Sequence, residues 1–140
     1  MNPSQAFSQA ALYTDGINYW LVHLPPADLA TAAALLAETG SPFCALIADK
    51  DEITLLLSQP AWERVAAHFP DHRVAAPYRL ITFDLPLDFE LVGFMALVSG
   101  VLARARVSIL AISAFERDHI FVPAASFRTA WDALKTAQAQ

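Results

Sequence analysis

YWLVHLPP (Tyr19–Pro26) and YRLITFDLP (Tyr78–Pro86) open and close alike. Each begins on a tyrosine, runs through large apolar residues and stops at proline, the pattern of a strand bounded by a breaker. The sequence after each is also alike. Behind the first, Asp28 can cap a helix to about Thr39, with Gly40 as its stop. Phe43–Ala48 and Ile53–Leu57 predict two strands joined by the tight turn Asp49-Lys50-Asp51-Glu52. Pro60 then opens a helix from Ala61 to about His68. Phe69–His72 predicts a loop and Arg73–Ala76 a short strand. Behind the second, the pattern predicts a helix over Val92–Ala105, a strand over Val107–Ser113, a turn over Phe115–Asp118 and a strand over His119–Val122. An amphipathic helix over Ala125–Ala137 ends the chain, with Phe127, Trp131 and Leu134 on one face.

Each half therefore reads strand, helix, strand, strand, helix, an internal repeat. Two strands across a tight turn, flanked by helical crossovers, predict a ferredoxin-like α/β (α+β) fold. The boundaries fall at a lead-in over 1–18, a first module over 19–76 and a second over 77–140. In the lead-in, Ser4 can cap a helix reaching Leu12, and Asp15-Gly16 marks a turn. The second module reaches Gln140 without a closing strand, which another segment or a partner subunit must supply.

Composition narrows the function. Hydrophobic residues make up 56% and charged residues 16% of the 140, the opposite of a disordered chain. The apolar surplus exceeds what a chain this small buries alone, which points to a homodimer or higher homo-oligomer. The formal net charge is −5 and the basic residues are scattered, so no counterion-releasing surface for nucleic acid is expected. Cys44, the single cysteine, excludes an internal disulfide and fits a small core residue. The N-terminus lacks a signal-peptide pattern. The longest uncharged stretch, Leu91–Ala103, is too short to span a membrane. A cytoplasmic protein with no membrane partner is expected. His68 and His72 have a metal-like spacing, but Pro70 breaks the helix between them. His23 and His119 fall at corresponding places on strands. No metal site, cofactor or catalytic signature is read: there is no C-x-x-C, phosphate loop or H-E-x-x-H.

The stretch LDFELVGFMALVSGVLARARVSILAISAFERDHIFVPAASFRTAWDAL, sharpest in DFELVG and ISAFERDHIFV, resembles the C-terminal module of small bacterial ACT-domain proteins. Those modules resemble the ACT modules of aspartate kinases and of tandem-ACT arginine sensors. The resemblance covers Tyr78–Leu134, and Tyr19–Ala76 resembles the degenerate first module of the same proteins. It implies two tandem ACT-like modules that pair side by side and a ligand, an amino acid, held at the interface between modules near Gly93 and Asp118.

By that resemblance Leu91, Val92 and Gly93 touch the ligand. A helix start offers free N–H groups to a carboxylate, and glycine admits close approach. The plain alternative is that Gly93 only relieves helix–sheet crowding. Ser113, Ala114, Phe115 and Asp118 form the second ligand-binding group, with Asp118 as counter-charge and Phe115 as a wall. The alternatives are turn chemistry for Asp118 and core packing for Phe115. Asp88 and Glu90 read as helix-capping acids. The sequence thus predicts a non-enzymatic regulatory module that binds a small molecule. A structural dimerisation module without a ligand is the rival reading, and an enzyme with an unrecognised site ranks last.

Overall fold

The computed structural model describes residues 1–39 and 42–140, and Ala76 by its backbone alone. The Gly40 helix stop lies outside the described residues. The chain divides into two compact units, Ile17–Tyr78 and, around it in sequence, Met1–Gly16 with Arg79–Gln140.

The Ile17–Tyr78 unit holds β2 (Asn18–Leu24), α2 (Leu29–Thr39), β3 (Cys44–Ala48), β4 (Ile53–Ser58), α3 (Gln59–Val65) and the first half of β5 (Arg73–Asp84). The strand order is β3-β4-β2-β5. Antiparallel registers set Leu46 beside Leu55 and Val22 beside Leu55. Val22, Leu24, Ile53, Leu55 and Leu57 thereby share one face, which α2 and α3 cover through Ala32, Ala61, Trp62 and Val65. Ser58 begins α3 by accepting from the Ala61 N–H at 3.3 Å, and Pro60 sits in its first turn, where a missing N–H costs nothing. Cys44 does not lie in this core: it is exposed on β3, the end strand of the order, where it has a neighbour on one side only.

The other unit holds α1 (Pro3–Gln9), β1 (Ala11–Tyr13), the rest of β5, α4 (Phe94–Arg104), β6 (Leu110–Ser113), β7 (Asp118–Pro123) and α5 (Phe127–Gln138). Its closing strand is β1, which pairs antiparallel with β5, Leu12 opposite Phe83. The order β1-β5-β7-β6 completes a ferredoxin-like sheet with a strand from the chain's own N-terminus. The helix expected to reach Leu12 stops at Gln9 because Ala11–Tyr13 joins that ladder. It starts at Asn2 rather than Ser4: Asn2 Oδ1 accepts from the Gln5 N–H at 2.8 Å while Gln5 Oε1 accepts from the Asn2 N–H at 2.9 Å, a capping box. Ile81, Phe83, Ile120 and Val122 project to one face and meet Phe7, Phe94, Val98, Leu102 and Leu134 of the helices.

Two further boundaries moved. β5 is one strand of 12 residues, not two, because Pro77 removes a donor but keeps the extended backbone a strand needs. α4 starts at Phe94 because Gly93 adopts φ 96°, a left-handed conformation no α-helix admits. At its other end Arg106 takes φ 61°. The Val107 N–H donates to Leu102 O at 2.9 Å and the Arg106 N–H to Ala103 O at 3.0 Å, the Schellman pattern that normally uses glycine. The turn delays β6 to Leu110. Arg106→Gly is expected to stabilise the protein by about 1 kcal/mol, read as a melting temperature raised by a few degrees. No gain would mean that the arginine side chain contributes as much as its backbone strain costs. Among the described residues no helix is long and apolar enough to cross a membrane.

Candidate functional site

Two loops of the outer unit meet at the end of its sheet. The first runs from the end of β5 to α4, the second is the β6–β7 turn. β5 ends on Asp84, whose carboxylate accepts from Arg117 Nε of the second loop at 2.8 Å. Arg117 also donates to Glu116 at 3.2 Å. The Asp84 hydrogen bond raises the Arg117 pKa above its ordinary value; desolvation opposes it, and the charges of Asp84 and Glu116 add to the rise. The Leu87 N–H donates to Glu116 O at 2.6 Å. The loops are therefore fastened to one another by backbone and by charge.

Within the first loop the Leu91 N–H donates to Asp88 O, and the Glu90 N–H to Asp88 Oδ1 at 3.3 Å. Asp88 and Glu90 shape this turn instead of capping the helix. The cap position belongs to Gly93, which has no side chain to satisfy the first-turn N–H groups. Within the second loop Ala114 N–H donates to Arg117 O at 2.9 Å, and Ser113 Oγ donates to Asp118 Oδ1 at 2.6 Å.

Between the loops lies a cleft of about 210 Å³ lined by Leu87, Asp88, Phe89, Leu91, Phe94, Ser113, Ala114, Phe115 and Asp118. Leu91, Ser113, Ala114, Phe115 and Asp118 are thus brought together. Val92 and Gly93 do not line the cleft: Val92 points to solvent, 82% exposed, and the Cβ side of Gly93 faces Pro3 of α1. Phe115 is 78% exposed, so it is not a core residue. It meets Phe89, itself 73% exposed, edge to face at 4.8 Å between ring centroids. Phe89 and Leu87 were missed in the sequence, although both sit in the quoted LDFELVG. Exposure, not type, marks Phe89, while Leu87 is half-buried against the core, and a single sequence does not carry exposure in a loop. Met1, Pro86, Leu87, Asp88, Glu90 and Leu91 line a second cleft of about 350 Å³ on the same loop.

One strand residue beyond Asp118, the half-buried His119 shares a 2.8 Å hydrogen bond between its Nδ1 and Thr82 Oγ1. Burial pushes its imidazole below the ordinary 6.5, and Arg117 adds to that, while Asp118 opposes it. A histidine with a lowered folded pKa takes up its proton more readily unfolded. It therefore costs no stability above the unfolded value of about 6.5, and costs stability as pH falls below it. His119→Gln is expected to flatten the loss of melting temperature between about pH 7 and pH 5. An unchanged pH profile would show that other groups set it.

Of the other histidines, His23 Nε2 stands 4.0 Å from Glu52 Oε1, and two meet backbone carbonyls. His68 Nδ1 meets Val65 O at 3.3 Å and His72 Nδ1 meets Phe69 O at 2.5 Å. Among the described residues no group of His, Cys, Asp and Glu could hold a metal ion.

Comparison with known proteins agrees with this geometry. Residues 73–136 match the ACT domain family. No curated protein matches the chain. Among solved structures, a Vibrio cholerae protein of unknown function, described as a possible transport protein, shares 21% identity. It superposes with a TM-score of 0.75 over 96% of this chain and 94% of its own. An Agrobacterium tumefaciens protein shares 22%, with a TM-score of 0.73 over 91% of this chain and 87% of its own. The regulatory subunit of aspartate kinase from Thermus thermophilus shares 14%, with a TM-score of 0.64 over 91% and 97%. Residues 73–136 hold β5, α4, β6, β7 and most of α5, and it is this stretch that carries the ACT-like domain.

Proposed function

We propose that this chain is a non-catalytic regulatory module whose outer unit binds a small molecule, an amino acid, in the cleft between the β5–α4 loop and the β6–β7 turn. The observation that carries the reading is Phe89 and Phe115, two large apolar rings left in water at the mouth of a cleft that also holds the Asp118 carboxylate. Exposed aromatic pairs beside a convergent charge are a binding-site arrangement. Asp118 offers a counter-charge to an ammonium group. The uncapped start of α4 offers donors to a carboxylate. Leu91, Ser113 and Ala114 supply walls, with Val92 and Gly93 shaping the turn behind them. The likeness to a regulatory subunit of aspartate kinase supports regulation over catalysis.

One observation favours a purely structural module instead. Ser113 already donates to Asp118, so that carboxylate has a partner before any ligand arrives. A thermal-shift screen against the twenty amino acids separates the two readings. A ligand at a hundred times its dissociation constant stabilises by about 2.7 kcal/mol, a shift of several degrees. If no amino acid moves the melting temperature, the structural reading stands.

We further infer that the module acts in the cytoplasm as a homo-oligomer. Of the two candidates for the closing strand, another segment or a partner subunit, the chain's own β1 takes the place, so this inference rests on the apolar surplus of the chain.

A further inference from the structure

We propose that the Ile17–Tyr78 unit carries a second binding site, on the sheet face opposite its helices, for a small monocarboxylate with a short apolar tail. The site shares no residue with the cleft that holds Asp118 and goes beyond the function proposed above.

Side chains of a strand alternate between the two faces of its sheet. Val22, Leu24, Ile53, Leu55 and Leu57 pack under α2 and α3. Leu21 and His23 of β2 and Thr54 of β4 therefore project to the other face. The antiparallel register sets His23 directly beside Thr54, the spacing at which cross-strand side chains interact. A cleft of about 420 Å³ opens there, and its walls include Leu21, His23, Glu52, Thr54, Arg73 and Val74.

A histidine–threonine pair stands in the other unit too, with the two residue types exchanged. Counted from Tyr19 and Tyr78, which open the two repeats, His23 and Thr82 hold the same place. Thr82 is buried and shares a 2.8 Å hydrogen bond with His119, so that pair spends its polar groups on itself. The pair in the Ile17–Tyr78 unit does not. Among the described residues the Thr54 hydroxyl and the Arg73 guanidinium have no hydrogen-bond or ion-pair partner, and both border the cleft.

Charge selects the occupant. Glu52 Oε1 stands 4.0 Å from His23 Nε2, so the one carboxylate of the cleft already faces a ring nitrogen. Arg73 is left as the charge without a counter-charge. A guanidinium grips a carboxylate through paired N–H donors, and the Thr54 hydroxyl is a further donor. Leu21 and Val74, the latter 42% exposed, give an apolar tail a surface to cover. A few polar groups converging over apolar walls is how small-molecule sites are built. A dianion would bring its second charge toward Glu52, and a lone amine would be repelled by Arg73, so a single carboxylate is the match.

Amide spectra of the isotope-labelled full chain, titrated with butyrate, test the site. Saturable shifts are expected at Leu21, His23, Thr54 and Val74, with a dissociation constant of about 1 mM or tighter. Lengthening the probe from acetate to butyrate to hexanoate is expected to tighten binding about twofold or more per CH₂. Arg73→Gln is expected to weaken butyrate binding about tenfold, and Thr54→Val about threefold. Arg73 is exposed, so its variant is expected to keep the parent's spectrum away from the cleft. On the parent, butyramide, which has the shape of butyrate without its charge, is expected to bind about tenfold more weakly. Butyrate that gives no saturable shift overturns the proposal. So does equal binding of butyrate and butyramide, or of butyrate to parent and Arg73→Gln. Shifts centred on Ser113 and Phe115 would put the probe in the other cleft and overturn it as well. If 2-aminobutyrate shifts the Leu21, His23, Thr54 and Val74 amides at lower concentration than butyrate does, Glu52 reads an ammonium and the monocarboxylate class is wrong. Failure at this site leaves the amino-acid reading of the other cleft untouched, because the thermal-shift screen tests that reading separately.

Discussion

Phe7→Ala is expected to lower stability by about 3–5 kcal/mol, a large share of the roughly 5–15 kcal/mol that holds a domain folded. Phe7 belongs to a helix of seven residues, too short to persist alone, at the start of the chain. Yet its ring is 3% exposed and lies 6.4 Å from Phe83, which in turn meets Phe94 edge to face at 5.4 Å. Ala6 and Ala10 on the same segment are buried with it. Gln138 of α5 donates to the carbonyls of Phe7 and Ala10 at 2.8 and 2.7 Å, tying both ends of the chain together. Truncating the ring leaves a cavity that these fixed neighbours cannot fill. Urea unfolding should show the midpoint falling with the slope unchanged. A loss below about 1 kcal/mol would mean that α1 only rests on the core and does not complete it.

Asp118→Asn is expected to weaken binding of the amino acid found in the screen by about tenfold or more, while leaving the melting temperature of the free protein nearly unchanged. The hydrogen bond from Ser113 Oγ reaches Oδ1, and an asparagine oxygen can accept it equally well. The turn keeps its shape. What disappears is the charge facing the ligand's ammonium, and charge-assisted hydrogen bonds contribute about 1.5–3 kcal/mol. An energy of about 1.4 kcal/mol corresponds to tenfold in affinity. Titration calorimetry on parent and variant gives the comparison. Equal affinity removes Asp118 from the site. A variant that no longer folds makes it a structural turn residue.

The repeat YWLVHLPP and YRLITFDLP was enough to foresee two ferredoxin-like halves, because period and punctuation are local properties of a chain. It could not foresee that Ala11–Tyr13 closes the second sheet. That role depends on Leu12 meeting Phe83, 71 positions later, and no local pattern reports such a partner. Nor could apolar character alone distinguish Cys44 on an edge from Cys44 in a core, since CALIA reads identically in both. At the cleft, Leu91, Ser113, Ala114, Phe115 and Asp118 were legible through a family pattern. Val92 and Gly93 were expected beside them, but the left-handed turn at Gly93 carries Val92 outward. Phe89 stayed hidden because an aromatic residue in a sequence reads first as core.

The N-terminal strand that closes the outer sheet also orders events during synthesis. Residues 17–78 form one compact unit, and they are synthesised before any of β7 or α5. At roughly 5–20 residues per second, α1 and β1 emerge first yet wait several seconds for Phe83, Phe94 and Leu134, the side chains that bury them. The inner unit can therefore finish while the outer one is still open. The long wait between first and last contacts makes the outer unit the slower folder. Its N-terminal segment, apolar at Ala6, Phe7, Ala10 and Leu12, is the part of the nascent chain most in need of protection until the C-terminus arrives.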